Sequence, residues 1–231
     1  MNKFNLDGKK EIAKTLLSYK FAIDEISTKI SILEEEFRLI HEYSPIEHVK
    51  TRVKNPKSIL KKMEKKELDW SIQAIEEHIR DIAGVRIVCS FEEDIYRVAE
   101  MLCKQSDIIL IDKKDYIKKP KGNGYRSLHL IVKIPIFLSE GIRHVFVELQ
   151  IRTIAMDFWA SLEHKIYYKY NKEVPQHINQ GLKEAADQAA ALDNKMAELN
   201  KEINILKELD DTKEENIDKY IREFLSFNIK A

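Results

Sequence analysis

Two stretches of alternating apolar and polar residues, joined by a short turn, dominate the second half of the sequence. The first follows a basic glycine loop at 121–124 and covers residues 125–134, and the second covers residues 145–151. A period of two predicts strands with one buried face, and the Ser-Glu-Gly sequence at 139–141 predicts a tight turn. We therefore predict an antiparallel hairpin, with Glu148 and Gln150 on one face of its second strand and apolar residues on the other.

Shorter apolar patterns complete the predicted core. Residues 85–89 and 108–111 read as strands, and residues 92–103 read as an amphipathic helix between them. A second helix, 154–170, follows the hairpin, with a predicted core stripe made of Phe158, Trp159, Leu162, Ile166 and Tyr170. This order of elements predicts an α+β (mixed α/β) fold, with a mixed sheet of four or five strands flanked by helices.

Both ends of the chain carry apolar residues at heptad spacing, which predicts long helices. The first series is Ile12, Leu16, Tyr19, Ile23, Ile26, Ile30, Leu33, Phe37 and Ile40. The second is Leu182, Ala185, Ala189, Leu192, Met196, Leu199, Ile203 and Leu206. Such helices pack against a core, against each other or against another subunit. An acidic loop at 210–218 and a short terminal helix at 217–227 are also expected.

Proline and serine mark the predicted boundaries. Ser44 and Pro45 predict the start of a new helix, with Ser44 as its N-cap. We divide the chain into an N-terminal heptad helix (1–44), a core (45–170) and a C-terminal helical extension (171–231).

Composition narrows the classes of partner. The 231 residues have a formal net charge of +0, so any attraction to phosphate must come from local clusters. One such cluster comprises Lys50, Arg52, Lys54, Lys57, Lys61, Lys62, Lys65 and Lys66. We read the two cysteines, Cys89 and Cys103, as reduced core residues. The first residues do not resemble a signal peptide, and we find no apolar run of membrane-spanning length, so a cytoplasmic protein is expected.

Several of these residues together suit nucleotide chemistry. Carboxylates such as Asp81 and Glu148, brought together at a sheet edge, would suit Mg²⁺, which prefers oxygen ligands. Tyr125, beside the glycine loop, could stack on a base. Cationic contacts for a triphosphate would come from Arg52, Lys54, Lys62 and Arg86. The loop lacks the Gly-Lys-Ser/Thr sequence of a Walker phosphate cradle.

Four motifs resemble the synthetase domain of the RelA/SpoT family. They are residues 81–87 (DIAGVRI), 124–129 (GYRSLH), 147–153 (VELQIRT) and 159–165 (WASLEHK). The resemblance covers residues 45–170 and implies a nucleotidyltransferase-like sheet. The length and the helical ends resemble a small alarmone synthetase of the RelP type, which implies synthesis of the alarmone without hydrolysis.

The resemblance also implies a reaction and a role for each matching residue. Members of the family transfer the β,γ-pyrophosphoryl group of ATP to the 3′-hydroxyl of GDP or GTP, which yields AMP and (p)ppGpp. By this resemblance Asp81 and Glu148 hold Mg²⁺, Glu148 is the candidate base, and His129 orients phosphates. The implied ATP-binding residues are Arg52, Lys54, Ser58, Lys62, Lys65 and Arg86. The implied GDP- or GTP-binding residues are Lys114, Lys121, Tyr125, Arg126, Gln150 and Asp157. Lys65 stands where some relatives carry Arg, and Asp157 stands where other members carry Asn.

Two alternatives to an enzyme are kept open. The basic cluster, together with the lysines between 113 and 121, could bind single-stranded RNA. The two heptad helices could instead make the chain a scaffold. The resemblance implies a homo-oligomer, a homotetramer in the small synthetases, so assembly and catalysis could coexist.

Overall fold

The computed structural model describes residues 6–41, 43–169 and 174–209. The predicted acidic loop, the predicted terminal helix and Tyr170 lie outside these ranges. Within them the elements are α1 (Leu6–His41), β1 (Ile46–Val53), α2 (Pro56–Lys65), α3 (Ile72–His78), β2 (Ala83–Cys89), α4 (Glu92–Cys103), β3 (Ile109–Asp115), β4 (Leu128–Leu138), β5 (Gly141–Thr153), α5 (Ile154–Lys169) and α6 (Gln176–Leu209).

The five strands form one mixed sheet in the order β1-β2-β5-β4-β3. The central strands β2 and β5 pair in parallel, and every other neighbouring pair is antiparallel. The predicted hairpin is β4 and β5, which turn at Leu138 and Gly141. The predicted mixed α/β fold with a helix-flanked sheet is therefore confirmed.

One face of the sheet carries the hydrophobic core. Val147, Leu149 and Ile151 of β5 are fully buried, in one cluster with residues of α1 and α4. The contributing helix residues include Ile23, Ile26 and Ile30 of α1 and Ile95, Val98 and Leu102 of α4. The middle of the first heptad series therefore packs against the sheet. The sequence alternation in β4 and β5 leaves the opposite face to half-buried residues, most of which are polar.

The start of the core differs from the prediction. Residues 46–53 form β1 rather than a helix, and the Ser44 hydroxyl bonds to the backbone of Ile46 instead of capping a helix. β-branched residues at Ile46, Val49, Thr51 and Val53 favour an extended chain. The basic residues between them hid this pattern, because β1 is an edge strand that is exposed along most of its length.

The predicted core stripe of α5 is largely wrong. Of its described members only Trp159 is buried, whereas Phe158, Leu162 and Ile166 are exposed. Trp159 packs with Leu182 and Ala186 of α6, and its indole N–H donates to the carbonyl of Leu182 at 2.8 Å. Beyond this contact α6 leaves the apolar side chains of Leu192, Met196, Leu199, Ile203 and Leu206 exposed. None of the helices in the described residues combines the length and apolar content that a membrane crossing requires.

Because Ile26 is fully buried between α1 and the sheet, we expect Ile26→Ala to lower the free energy of unfolding by about 2–5 kcal/mol. Ile32 lies on the same helix but is 60% exposed, so Ile32→Ala serves as the matched control and should change stability little. Chemical denaturation of both variants checks this. If Ile26→Ala lowered the free energy of unfolding no more than Ile32→Ala, the packing of Ile26 in the core would be contradicted.

Candidate active site

Strand register places the predicted site residues in two adjacent rows on the polar face of the sheet. In the first row Arg86 pairs with Gln150, Gln150 pairs with His129, and His129 pairs with Lys114. In the second row Arg52 pairs with Gly84, and Gly84 pairs with Glu148. Residues directly opposite each other on neighbouring strands share a face. Five strands therefore contribute to one polar surface.

Gly84 lies beneath the Arg52 side chain in the second row. A Cβ atom at this position would lie 3.4 Å from Cγ of Arg52 and 3.5 Å from its Nε. These are ordinary van der Waals distances, so the Arg52 side chain lies directly over Gly84 on this face of the sheet.

Asp81 lies just before β2 and is held by two lysines. Its Oδ2 accepts from Nζ of Lys54 at 2.8 Å and from Nζ of Lys62 at 2.7 Å. Burial alone would raise the pKa of Asp81, but the hydrogen bonds and charges of the two lysines outweigh it, and the pKa is lowered. Asp81 is therefore ionised at neutral pH. Lys54 follows β1 and Lys62 lies on α2, so two segments of the basic cluster converge on one carboxylate.

Glu148 is the second carboxylate of the site. Its Oε2 accepts from Nε2 of Gln150 at 2.9 Å, and its Oε1 lies 3.7 Å from Nδ1 of His129. Burial would raise the pKa of Glu148, but His129 and Gln150 lower it overall, while the charge of Asp81 acts to raise it. Asp81 lies just before β2 and Glu148 lies on β5, its parallel neighbour, so the two carboxylates belong to adjacent segments of the sheet.

The donor set at these carboxylates fits Mg²⁺. Asp81 Oδ1 is buried and accepts no hydrogen bond, although Oδ2 accepts two. A cation beside Oδ1 would satisfy that oxygen. Within the part of the chain that the structure describes, no three His, Cys, Asp or Glu side chains are grouped as metal ligands. Mg²⁺ needs no such group, since it keeps several waters and binds substrate phosphates.

An aromatic cluster flanks the carboxylates on the side of β4. The rings of Tyr116, Tyr125 and His129 pack edge to face, at centroid distances of 5.2–6.1 Å. Nζ of Lys121 lies 4.6 Å from the ring centre of Tyr116 and 4.8 Å from that of Tyr125. Tyr125 and Lys121, which were predicted to bind the acceptor, thus form an aromatic wall next to Glu148 together with His129 and with Tyr116, which was not predicted as a site residue.

Arg152 is a member of this network that was not predicted as a site residue. Its guanidinium contacts Tyr125, Gln150 and Asp157, and the carboxylate of Asp157 also lies 3.2 Å from Arg86. The period of the strand contained the signal, because Arg152 follows Glu148 and Gln150 at intervals of two.

Three other residues that were predicted to bind nucleotides lie on exposed surfaces of α2 and β3. Ser58 lies in the first turn of α2 and Lys65 at its last residue, and both are exposed. Asn55 caps this helix by accepting from the backbone of Lys57. Lys114 is exposed on β3, and its Nζ lies 3.6 Å from Oδ2 of Asp112.

Arg126 is set apart from the polar sheet face. Its guanidinium donates to the carbonyl of Ile117 at 3.3 Å, and the residue lines a small cavity with Trp159, Ala186 and Asp193. In the same region Glu163 accepts from Asn123 Nδ2 at 3.0 Å, which ties α5 to the glycine loop and gives Glu163 a structural contact.

Comparison with known proteins identifies the family. The model of the "Region found in RelA / SpoT proteins" matches residues 51–173. The chain belongs to the RelA/SpoT family. The membership predicted from the four motifs is therefore confirmed.

Two relatives have about the same length as this chain. The chain is 53% identical to "GTP pyrophosphokinase YwaC" of Bacillus subtilis over 82% of its own length and 90% of that protein. It is 40% identical to "GTP pyrophosphokinase YjbM" of the same organism over 84% of its length and 90% of that protein.

Solved structures agree with this. The small alarmone synthetase 2 of Bacillus subtilis matches 83% of this chain and 99% of its own, with a TM-score of 0.77 and 50% identity. Small alarmone synthetase 1 from the same organism, bound to its product pppGpp, matches 84% of this chain and 98% of its own, with a TM-score of 0.77 and 40% identity.

Gly124 joins the glycine loop to α6, which makes its replacement a test of the site. Its φ is +88°, and a Cβ there would lie 2.4 Å from Cβ of Ala186. We expect Gly124→Ala to destabilise the protein by about 1–3 kcal/mol and to displace the loop that carries Tyr125. Thermal unfolding checks this. Gly122→Ala is the control, because nothing lies within 4 Å of a Cβ at Gly122. If both variants lost the same stability, the close packing of Gly124 against Ala186 would be contradicted.

Proposed function

We propose that this chain is a GTP pyrophosphokinase that transfers the β,γ-pyrophosphoryl group of ATP to the 3′-hydroxyl of GDP or GTP, releasing AMP and forming (p)ppGpp. The observation that carries this proposal is that Asp81, held by Lys54 and Lys62, lies just before β2, the parallel neighbour of the strand that carries Glu148. The names of the two Bacillus relatives support the same class of reaction. The motif resemblance assigns synthesis without hydrolysis.

The donor side is formed by the cations around Asp81. Lys54 and Lys62 are already positioned by the carboxylate, so they are preorganised for the phosphates of ATP. Arg52 and Arg86, on neighbouring rows of the sheet, supply planar guanidinium groups beside them. Ser58 and Lys65, at the two ends of α2, complete the proposed ATP site. A related small alarmone synthetase 1 was solved with AMPCPP.

The acceptor side is formed by the aromatic wall. Tyr125 offers a ring for guanine, and Lys114 and Lys121 supply positive charge for phosphates. Gln150 and Asp157 complete the proposed acceptor set on the sheet face. Arg126 belongs to the set through the loop, where its guanidinium donates to the carbonyl of Ile117. The acceptor's 3′-hydroxyl then approaches Glu148, between the two nucleotides.

Glu148 has the properties of a base in this position. Its lowered pKa keeps it ionised and able to take the proton from the 3′-hydroxyl. The 3′-oxygen forms a bond to the β-phosphorus of ATP, and the bond from that phosphorus to the α,β-bridging oxygen breaks, so AMP leaves. Mg²⁺, held by Asp81 and Glu148, would neutralise charge on the phosphate chain. His129, near Glu148, orients phosphates. Alignment and charge neutralisation account for most catalysis of this kind.

We also propose that the chain works as a homo-oligomer, a homotetramer, in the cytoplasm, where both nucleotides are found. The exposed heptad residues of α6, from Leu192 to Leu206, suit helix-to-helix packing between subunits. In this proposal residues 45–170 are the catalytic core, and residues 1–44 and 171–231 are the helical segments around it. No observation favours RNA as a partner, since two lysines of the basic cluster bind Asp81.

The base assignment predicts that Glu148→Gln lowers the rate of AMP and alarmone formation by at least about 10²-fold while the fold is kept. The glutamine matches the shape but cannot accept the proton. Ion-exchange chromatography of a mixture with ATP, Mg²⁺ and GDP or GTP measures both products. Glu140→Gln, in the exposed hairpin turn, is the control, and removal of the metal with a chelator should also stop the reaction. Near-normal turnover of Glu148→Gln would exclude this role.

The stacking assignment predicts a selective effect on the acceptor. Tyr125→Ala should raise KM for GDP or GTP about tenfold and leave KM for ATP within about twofold, because only the acceptor loses its stacking partner. Steady-state kinetics with each nucleotide varied in turn checks this, with Phe137→Ala at the exposed hairpin end as the control. A change confined to the KM for ATP would contradict the assignment.

A further inference from the structure

A chain of polar contacts connects a buried arginine to the proposed base. Arg152 is 2% exposed, and its guanidinium donates to Oη of Tyr125 at 2.9 Å and to Oε1 of Gln150 at 2.8 Å. Oη of Tyr125 lies 2.8 Å from Nε2 of His129. Nδ1 of the same imidazole lies 3.7 Å from Oε1 of Glu148.

The chemistry of these groups restricts which of them donate and which accept along this series of contacts. A guanidinium can donate hydrogen bonds but cannot accept them. Oη of Tyr125 therefore accepts from Arg152, which leaves its own O–H available to donate to Nε2 of His129. A neutral imidazole that accepts at Nε2 carries its proton on Nδ1. In that tautomer the Nδ1 proton faces the carboxylate of Glu148.

We propose that Arg152 is a positioning residue that acts through the hydroxyl of Tyr125 to keep the proton of His129 on Nδ1, facing Glu148. The inference rests on the proposed function, because Glu148 matters here as the base. It separates two roles within Tyr125: the ring binds the acceptor, and the hydroxyl carries the connection from Arg152 to His129.

Burial and geometry both favour arginine at this position. The planar guanidinium reaches Tyr125 and Gln150 with one nitrogen and approaches Asp157 with another, at 3.4 Å. Asp157, which also pairs with Arg86, offsets the charge of Arg152 in the buried site. A lysine has a single nitrogen and could not hold these groups in the same arrangement. Because Gln150 donates to Glu148, Arg152 also restrains the base through a second contact.

A double-mutant cycle tests the kinetic part. Tyr125→Phe keeps the ring and removes the hydroxyl, so we expect kcat to fall about tenfold, with KM for the acceptor within about threefold of normal. Arg152→Lys should reduce kcat by at least as much. The kcat of the double variant should be no lower than that of Arg152→Lys alone, because both changes break the same series of contacts from Arg152 to His129. Tyr43→Phe, which removes a hydroxyl bonded to Asp94 far from the site, should leave kcat unchanged.

Normal kcat in Tyr125→Phe would overturn the proposal, and so would losses that multiply in the double variant. Circular dichroism and thermal unfolding establish that each variant is folded. Should Arg152→Lys fail to fold, Tyr125→Phe still tests the hydroxyl.

Tautomer measurement tests the structural part and needs no activity. In protein labelled with ¹⁵N-histidine, two-bond ¹⁵N–¹H correlations above the titration range of imidazole distinguish Nδ1–H from Nε2–H, and His129→Gln assigns the signal. We expect the Nδ1–H form in the wild type and loss of that preference in Tyr125→Phe. An Nε2–H form in the wild type, or an unchanged tautomer in the variant, would overturn the inference. Absence of AMP and alarmone from the wild type would refute only the proposed function.

Discussion

The register between β2 and β5 is the constraint on which the site depends. It sets Gly84 beside Glu148 and Arg86 beside Gln150, and it brings the segment that carries Asp81 next to the strand that carries Glu148. A slip of one residue would turn Glu148 into the core and Leu149 out of it. Burial of Val147, Leu149 and Ile151 against α1 and α4 therefore keeps the polar face in place. The hydrophobic core on one side of the sheet fixes the chemistry on the other.

Charged side chains on the polar face of the sheet are compensated by neighbours of opposite charge. Asp81 keeps its charge because two lysines surround it, and Arg152 is buried beside Asp157. With a formal net charge of +0, the molecule as a whole does not attract nucleotides. The excess of cations lies where β1, α2 and β2 meet, which concentrates the positive charge at the proposed ATP site. In the proposed function, the lysines that pair with Asp81 in the free protein also bind the phosphates of ATP.

Much of the fold and part of the site could be predicted from the sequence. The strand at 85–89 is a short, nearly continuous apolar run, the hairpin shows plain alternation, and four ordered motifs contain Asp81, Glu148, Tyr125 and His129. β1 was missed because an exposed edge strand has little apolar alternation. The α5 stripe was misjudged because helical spacing does not reveal which face meets a neighbour. Arg152 escaped attention because its role depends on partners from three segments, and the position of Arg126 beneath the loop depends on the docking of α6.

The central claim is that Asp81 and Glu148 hold one divalent ion between the two nucleotides. Crystals grown with Mn²⁺ in place of Mg²⁺, AMPCPP and GDP test it most directly, through the anomalous signal of manganese. The account predicts a manganese peak within about 2.5 Å of a carboxylate oxygen of both Asp81 and Glu148, with further ligands from phosphate and water. Manganese bound only by phosphates, with neither carboxylate in contact, would contradict it.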